Sequence, residues 1–270
     1  MAPDSAPTKR ERRDAAREAR RQREAAEAAA AARKRRLIQL GGLLAVAAVV
    51  VIVVIVASSG GGSKSSSDGS LAGASESQKM LAGIPQNGIT LGKPNAPVTV
   101  VEFADPQCPF CKDYTLNEMP KIVQDYVRTG KAKMDLRLLT FIGPDSIDAA
   151  QTLLGAGQQD KLWNAADLFY YNQEQENSGY VDDAFLRKVL GGVQGLDVDQ
   201  AMKASTSSQV TDELGAAKTL ASRYGVDSTP TVLVGPTGGE LKDVGGQAPT
   251  AESVGKAIEA ALKAKGSSGT

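Results

Sequence analysis

Hydrophobic positions along the chain change period several times, and each change marks an element. Leu37 to Ala57 is apolar throughout apart from Gln39 and two glycines. A run of that length at about 1.5 Å per residue spans about 31 Å, which predicts a transmembrane helix, with a signal peptide cleaved late at Ala57-Ser58 as the alternative. Residues 58–79 are rich in Gly and Ser and predict a flexible linker. A folded domain over residues 80–270 follows. Within it Gly88 to Gly92 predicts a short strand or bulge, Lys93 to Pro97 a turn, and the continuous apolar run Val98 to Phe103 a central strand ending at Ala104. Lys112 to Arg128 carries apolar residues at helical spacing, and Lys131 to Thr140 alternates Ala132, Met134, Leu136 and Leu138 with polar residues, as a half-buried strand does. Strand, helix, strand in that order predicts a parallel pair.

Helical spacing then recurs over Ile147–Ala156, Lys161–Tyr171, Val181–Leu190, Val198–Ala204 and Val210–Tyr224, with Trp163, Phe169 and Tyr170 read as core. Thr231 to Val234 predicts a strand, Glu240 to Val244 its hairpin partner, and Thr250 to Lys263 a closing helix capped by Thr250.

Composition changes this picture in two ways. Net charge is zero, yet Lys and Arg crowd residues 1–36, ending in Arg33-Lys34-Arg35-Arg36 directly before the apolar run. By the positive-inside rule this tail is cytoplasmic and everything after Ser58 is extracytoplasmic. The tail reads as a solvated segment, with anionic lipid or nucleic acid as the sharper alternative and nucleic acid not expected. The chain also contains no histidine, which removes Ser-His-Asp and Cys-His machinery and every His-containing metal site. Two cysteines cannot supply a four-thiolate site within one chain, although two chains together could, and no metal or cofactor is expected.

Those two cysteines, Cys108 and Cys111, stand where the central strand feeds the first helix. Pro109 suits the first helical turn, which puts Cys108 at the N-cap near unpaired backbone N–H groups. A helix dipole alone contributes about 0.3–1 kcal/mol, less than one pKa unit, so a reactive Cys108 also needs direct hydrogen bonds. Cys111, one turn further on, is placed to donate one. Glu102 interrupts an apolar strand. It is either an edge residue facing water or a buried acid with a raised pKa.

The stretches Val98 to Phe103, Cys108-Pro109-Phe110-Cys111, Leu162-Trp163-Asn164, and Tyr224-Gly225-Val226 leading to Thr229-Pro230-Thr231 together resemble the DsbA-like thiol–disulfide oxidoreductases. The resemblance runs from about Ile84 to the end. It implies an α/β thioredoxin-like fold with a helical insertion over about 145–224, here preceded by a single transmembrane helix. It further implies that Cys108 is the nucleophile, Cys111 the resolving thiol, and Pro230 a cis-proline facing the pair. Thr229 beside it would present backbone to an extended substrate, and Glu102 would be a buried acid that relays protons to Cys111. Phe110 departs from the strongest oxidases of the family, which carry histidine at that position, and a less extreme potential is expected. The implied activity is disulfide transfer to reduced or misoxidised exported proteins, with a membrane partner that reoxidises the pair. The alternatives are an extracytoplasmic reductase or isomerase using the same residues, and a non-enzymatic binding protein with a structural disulfide.

Overall fold

The computed structural model describes residues 71–245 and 248–267. The basic tail (1–36), the apolar run (37–57) and most of the Gly/Ser-rich linker lie outside the described residues. Among the described residues no helix is long and apolar enough to cross a membrane.

The chain enters through helix α1, Ala74–Leu81. A hairpin of β1, Gln86–Asn87, and β2, Thr90–Leu91, leads to strand β3, Val98–Ala104. Helix α2, Pro109–Asp113, continues through a π-helical stretch Tyr114–Glu118 into α3, Met119–Ile122, and a second π-helical stretch Val123–Val127. After β4, Ala132–Leu138, come α4, Pro144–Gly157, α5, Leu162–Tyr171, α6, Asp183–Gly191, α7, Val198–Ala204, and α8, Ser208–Tyr224. Strands β5, Thr231–Pro236, and β6, Lys242–Asp243, and helix α9, Ala251–Ser267, complete the described fold. The expected helical insertion is thus the α4–α8 block between β4 and β5.

The sheet runs β1-β2-β4-β3-β5-β6. β3 pairs parallel with β4, Glu102 opposite Leu136, and antiparallel with β5, Glu102 opposite Val232. A strand bonded on both sides and covered on both faces has no wet position, and every residue of β3 is buried. This decides between the two readings of Glu102: it is a buried acid. β4 alternates buried and half-buried positions, as its sequence predicts.

Alternation divides β3 between two cores. Val98, Val100 and Ala104 face the larger cluster, which includes Cys111, Ile122, Trp163 and Phe169. Val101 and Phe103 face a smaller one with Leu139, Ala217, Ala221 and Leu233 under α8. Glu102 falls on the side of Val100 and Ala104 by the period of two, and that is the cysteine side.

One boundary differs from the expectation. The domain does not begin near Met80: α1 starts at Ala74, inside the expected linker, and buries Ser77 and Leu81. Its sequence, ASESQKML, carries no apolar stripe until its last turn, so its packing has no periodic signature. The first cysteine helix begins at Pro109 with Cys108 as its N-cap, as the sequence predicts. Local capping elsewhere follows the expected chemistry. The side chains of Asp182, Asp197 and Ser207 accept from Phe185, Gln200 and Val210 N–H, Thr250 Oγ1 accepts from Ser253 N–H, and Gly225 ends α8 at φ 67°.

Candidate active site

Cys108 is the N-cap of α2 with backbone angles φ −70° and ψ 119°, and its carbonyl accepts from Lys112 N–H at 3.1 Å. Its thiol donates to the Thr229 carbonyl at 3.3 Å. The Thr229–Pro230 peptide is cis, and the loop before β5 brings Thr229 to Cys108 across 121 positions of sequence. The structure therefore brings together Cys108, Cys111, Thr229 and Pro230. Both cysteines are free thiols.

Their environments push the two thiols apart. Cys108 is lowered from an ordinary 9.0 to about 6, first by a hydrogen bond from the Cys111 side chain. Burial opposes this, and the Thr229 side chain and the backbone of Cys111 and Phe110 add to it. Cys111, with no accessible surface, is driven well above its ordinary value, chiefly by burial and then by the hydrogen bond it gives to Cys108. One sulfur is poised as a thiolate at neutral pH and the other holds its proton. Cys108 is itself only 5 % exposed, more enclosed than an openly presented nucleophile, while Phe110 beside it is 66 % exposed.

The turn carrying the pair is anchored by Asp105, a residue in the strand–helix motif to which sequence reasoning assigns no role. Its Oδ1 accepts from Gln107 N–H at 2.9 Å and Ser146 Oγ at 2.7 Å, and its Oδ2 from Phe141 and Ile142 N–H at 2.7 and 3.1 Å. Its carbonyl accepts from Cys108 N–H at 3.0 Å and the Tyr170 hydroxyl at 3.1 Å. Gln173, from the segment after α5, donates to the carbonyls of Pro106 and Cys108 at 2.7 and 3.2 Å. The helical insertion thus holds the turn from above.

Phe110, Phe141 and Ile147 are the large apolar side chains left exposed among the described residues. Phe110 lies between the cysteines, the Phe141 N–H donates to Asp105, and Ile147 follows Ser146, whose Oγ donates to the same carboxylate.

Glu102 lies deeper, 1 % exposed, and burial raises its carboxyl from 4.5 to about 8. Its Oε2 has no hydrogen-bond partner among the described residues. Burial raises the phenol of Tyr170 well above its ordinary value, and Cys111 and Glu102 both lie close enough for their charges to add to it. Tyr170 is a core residue, as expected, and in addition the side chain common to the two groups. Among the described residues no cluster of His, Cys, Asp and Glu is built to hold a metal.

A family model described as Thioredoxin matches residues 85–260. The chain is 30 % identical over 177 residues to the "Probable disulfide bond formation protein D" of Bacillus cereus, covering 64 % of this chain and 78 % of that one. Among solved structures it is similar to oxidised BdbD of Bacillus subtilis, with a TM-score of 0.58 at 24 % identity over 67 % of this chain and 97 % of that one. DsbA of Chlamydia trachomatis gives 0.54 at 22 % identity over 64 % and 90 %. At these identities the two structures speak for the fold.

Proposed function

The chain belongs to the thioredoxin family as a DsbA-like thiol–disulfide oxidoreductase, and from that premise we propose that it is a membrane-tethered oxidase donating its Cys108–Cys111 disulfide to exported proteins. The observation that carries the direction is the split between the two thiols. A Cys108 held as thiolate is a good leaving group, so the reduced enzyme is stabilised and the disulfide is readily given away.

The split between the two thiols supports the following steps. A substrate thiolate attacks Cys108 Sγ, the Cys108–Cys111 bond breaks, and Cys111 leaves as a thiolate that takes a proton from Glu102. A second substrate thiolate then attacks the mixed disulfide, and Cys108 departs as the stabilised thiolate. The oxidised substrate has lost two electrons and the enzyme dithiol holds them. Reoxidation runs through the same sulfurs: the Cys108 thiolate attacks a disulfide of the membrane partner and releases one partner thiolate, then Cys111 returns its proton to the Glu102 carboxylate, attacks Cys108 Sγ in that mixed disulfide and releases the second partner thiolate, so the two electrons leave with the partner. Thr229 and Pro230 form the wall against which an extended substrate backbone lies, and Phe110, Phe141 and Ile147 form its apolar rim.

The tether rests on the apolar length of 37–57 and on the charges before it; both support a catalytic domain outside the membrane, within reach of a membrane partner that would remove the electrons. A pKa of about 6 for Cys108 lies between the roughly 7 of thioredoxin and the roughly 3.5 of DsbA. That intermediate value keeps reductase or isomerase chemistry as the second reading.

The experiment is disulfide transfer from the oxidised full-length protein to a reduced, unfolded substrate with one native disulfide. Stoichiometric transfer is expected, abolished by Cys108→Ala, and protease added outside the cell should degrade the catalytic domain. An oxidised protein that leaves the substrate thiols untouched defeats the proposal.

A further inference from the structure

Behind Glu102 the core contains a second buried carboxylate that the mechanism does not use. Asp167 projects from α5, is 2 % exposed, and has an Oδ2 with no hydrogen-bond partner among the described residues. Glu102 and Asp167 line one small cavity of about 10 Å³ together with Thr115, Leu136, Trp163 and Tyr170. Thr115 Oγ1 is likewise buried and unpartnered among the described residues. About 10–15 Å³ is what one water needs, and a buried water normally makes two to four hydrogen bonds. Three orphaned polar atoms on the wall of a one-water cavity meet that requirement.

The route continues outward. Ser77 of α1 stands beside Asp167, is 2 % exposed, and its Oγ has no partner among the described residues. Ser77 also lines an open cleft of about 400 Å³ with Gln78, Gln86, Asp160, Asn164 and Gln194. From Cys111 to this polar cleft the fold lays out a series of groups able to hold or pass a proton.

We propose that Asp167 is the outer proton carrier of the site, exchanging protons with Glu102 through a water in the shared cavity and with solvent through Ser77 and the cleft. This rests on the role given to Glu102 above. When Cys111 leaves as a thiolate, Glu102 gives up its carboxyl proton and forms the Cys111 S–H bond; Asp167 then reprotonates Glu102 through the water and is itself refilled from the cleft. During reoxidation each transfer runs in reverse, and no charge stays in the core. Burial raises Asp167 from 3.8 to about 7 and Glu102 to about 8, so the two carboxyls are matched within about tenfold in proton affinity. The groups facing Glu102 are Tyr114 and Tyr170, both raised far above neutrality, and those facing Asp167 are Ser77 and Tyr171. Near neutral pH the two carboxyls are therefore the groups in this set that titrate.

The test is a rapid-mixing measurement on oxidised full-length protein with excess dithiothreitol. Asp167→Asn is expected to slow loss of the disulfide at pH 7 by about tenfold or more, within the range of general acid–base catalysis. The reduction potential should not change, and Asp167→Glu should restore part of the rate. In a Glu102→Gln background Asp167→Asn should cost nothing further, because the two act in series. An Asp167→Asn rate within about twofold of wild type, or single effects that multiply in the double variant, would overturn the proposal. If Asp167→Asn does not fold, Trp163 decides the matter in the wild-type protein, since it is the chain's only tryptophan and lines the cavity. Its emission should titrate between about pH 6 and 9 and lose one step in Glu102→Gln, whereas a flat profile contradicts the relay. Dithiothreitol exchange proceeds whichever way electrons flow in the cell. A fast Asp167→Asn enzyme therefore sinks the relay alone, and a wild-type enzyme that does not exchange sinks the oxidoreductase reading with it.

Discussion

Replacing Cys111 with alanine removes the largest influence on Cys108, the hydrogen bond from its side chain. The whole depression, from 9.0 to about 6, corresponds to about 4 kcal/mol of preference for the thiolate, at 1.36 kcal/mol per unit. A helix N-terminus supplies at most about 1 kcal/mol of this at an exposed site. The remainder has to come from direct hydrogen bonds, with the Cys111 thiol first among them. Losing it should move Cys108 up by about one to two units, since a hydrogen bond to a charged group is worth about 1.5–3 kcal/mol. At pH 7 the thiolate fraction then falls from about nine-tenths to between a half and a tenth. The assay is the rate of alkylation of Cys108 by iodoacetamide across pH, with the ultraviolet absorbance of the thiolate as a second probe. A midpoint that stays near 6 in Cys111→Ala would refute the reasoning and assign the depression to the Thr229 side chain and backbone N–H groups. The same shift sets a stability window. Cys108 is depressed on folding, so the dithiol protein gains stability that is fully present above about pH 9 and lost as pH falls through about 6. At pH 7 this amounts to about 1.4 kcal/mol, or about 30 mV in a two-electron couple.

Glu102→Gln should raise stability at pH 7 by about 3 kcal/mol, because a carboxyl raised on folding favours the fold at low pH and opposes it as pH climbs from 4.5 to about 8. Urea unfolding should show the gain fading towards pH 4, and a gain independent of pH would contradict the assignment. The same variant should exchange disulfides more slowly, since Cys111 then leaves without a proton donor. Asp105→Ala strands the N–H groups of Gln107, Phe141 and Ile142 and should cost about 3 kcal/mol or more in the same assay. A cost under about 1 kcal/mol would mean that water replaces the carboxylate freely.

Much of the architecture is local enough to read from residue order. The apolar run of β3, the N-cap placement of Cys108 before Pro109, the alternation of β4 and the Thr-Pro step before β5 each announce themselves within a few residues. What stays hidden depends on partners far away in sequence. Glu102 is buried only because β4 and β5 close on both sides of β3, a strand order that periodicity does not contain. Asp105 looks like an ordinary turn residue until the segment from Phe141 to Ser146 folds over it. Asp167 lies on a helix read as core packing, and its significance appears only when β3 brings a second carboxylate to the same cavity. The first helix escapes notice because a polar octapeptide is ordered by what it packs against, not by its own pattern.

The most direct test of the central claim is the reduction potential of the Cys108–Cys111 pair in the full-length protein, equilibrated against glutathione buffers. A Cys108 pKa of about 6 predicts a value between the roughly −120 mV of DsbA and the roughly −270 mV of thioredoxin. Such a pair can still oxidise substrates, because structural disulfides of secreted proteins have potentials below about −300 mV. A potential at or below that of thioredoxin would contradict disulfide donation, and a pair still oxidised below about −300 mV would reduce Cys108 and Cys111 to a structural staple.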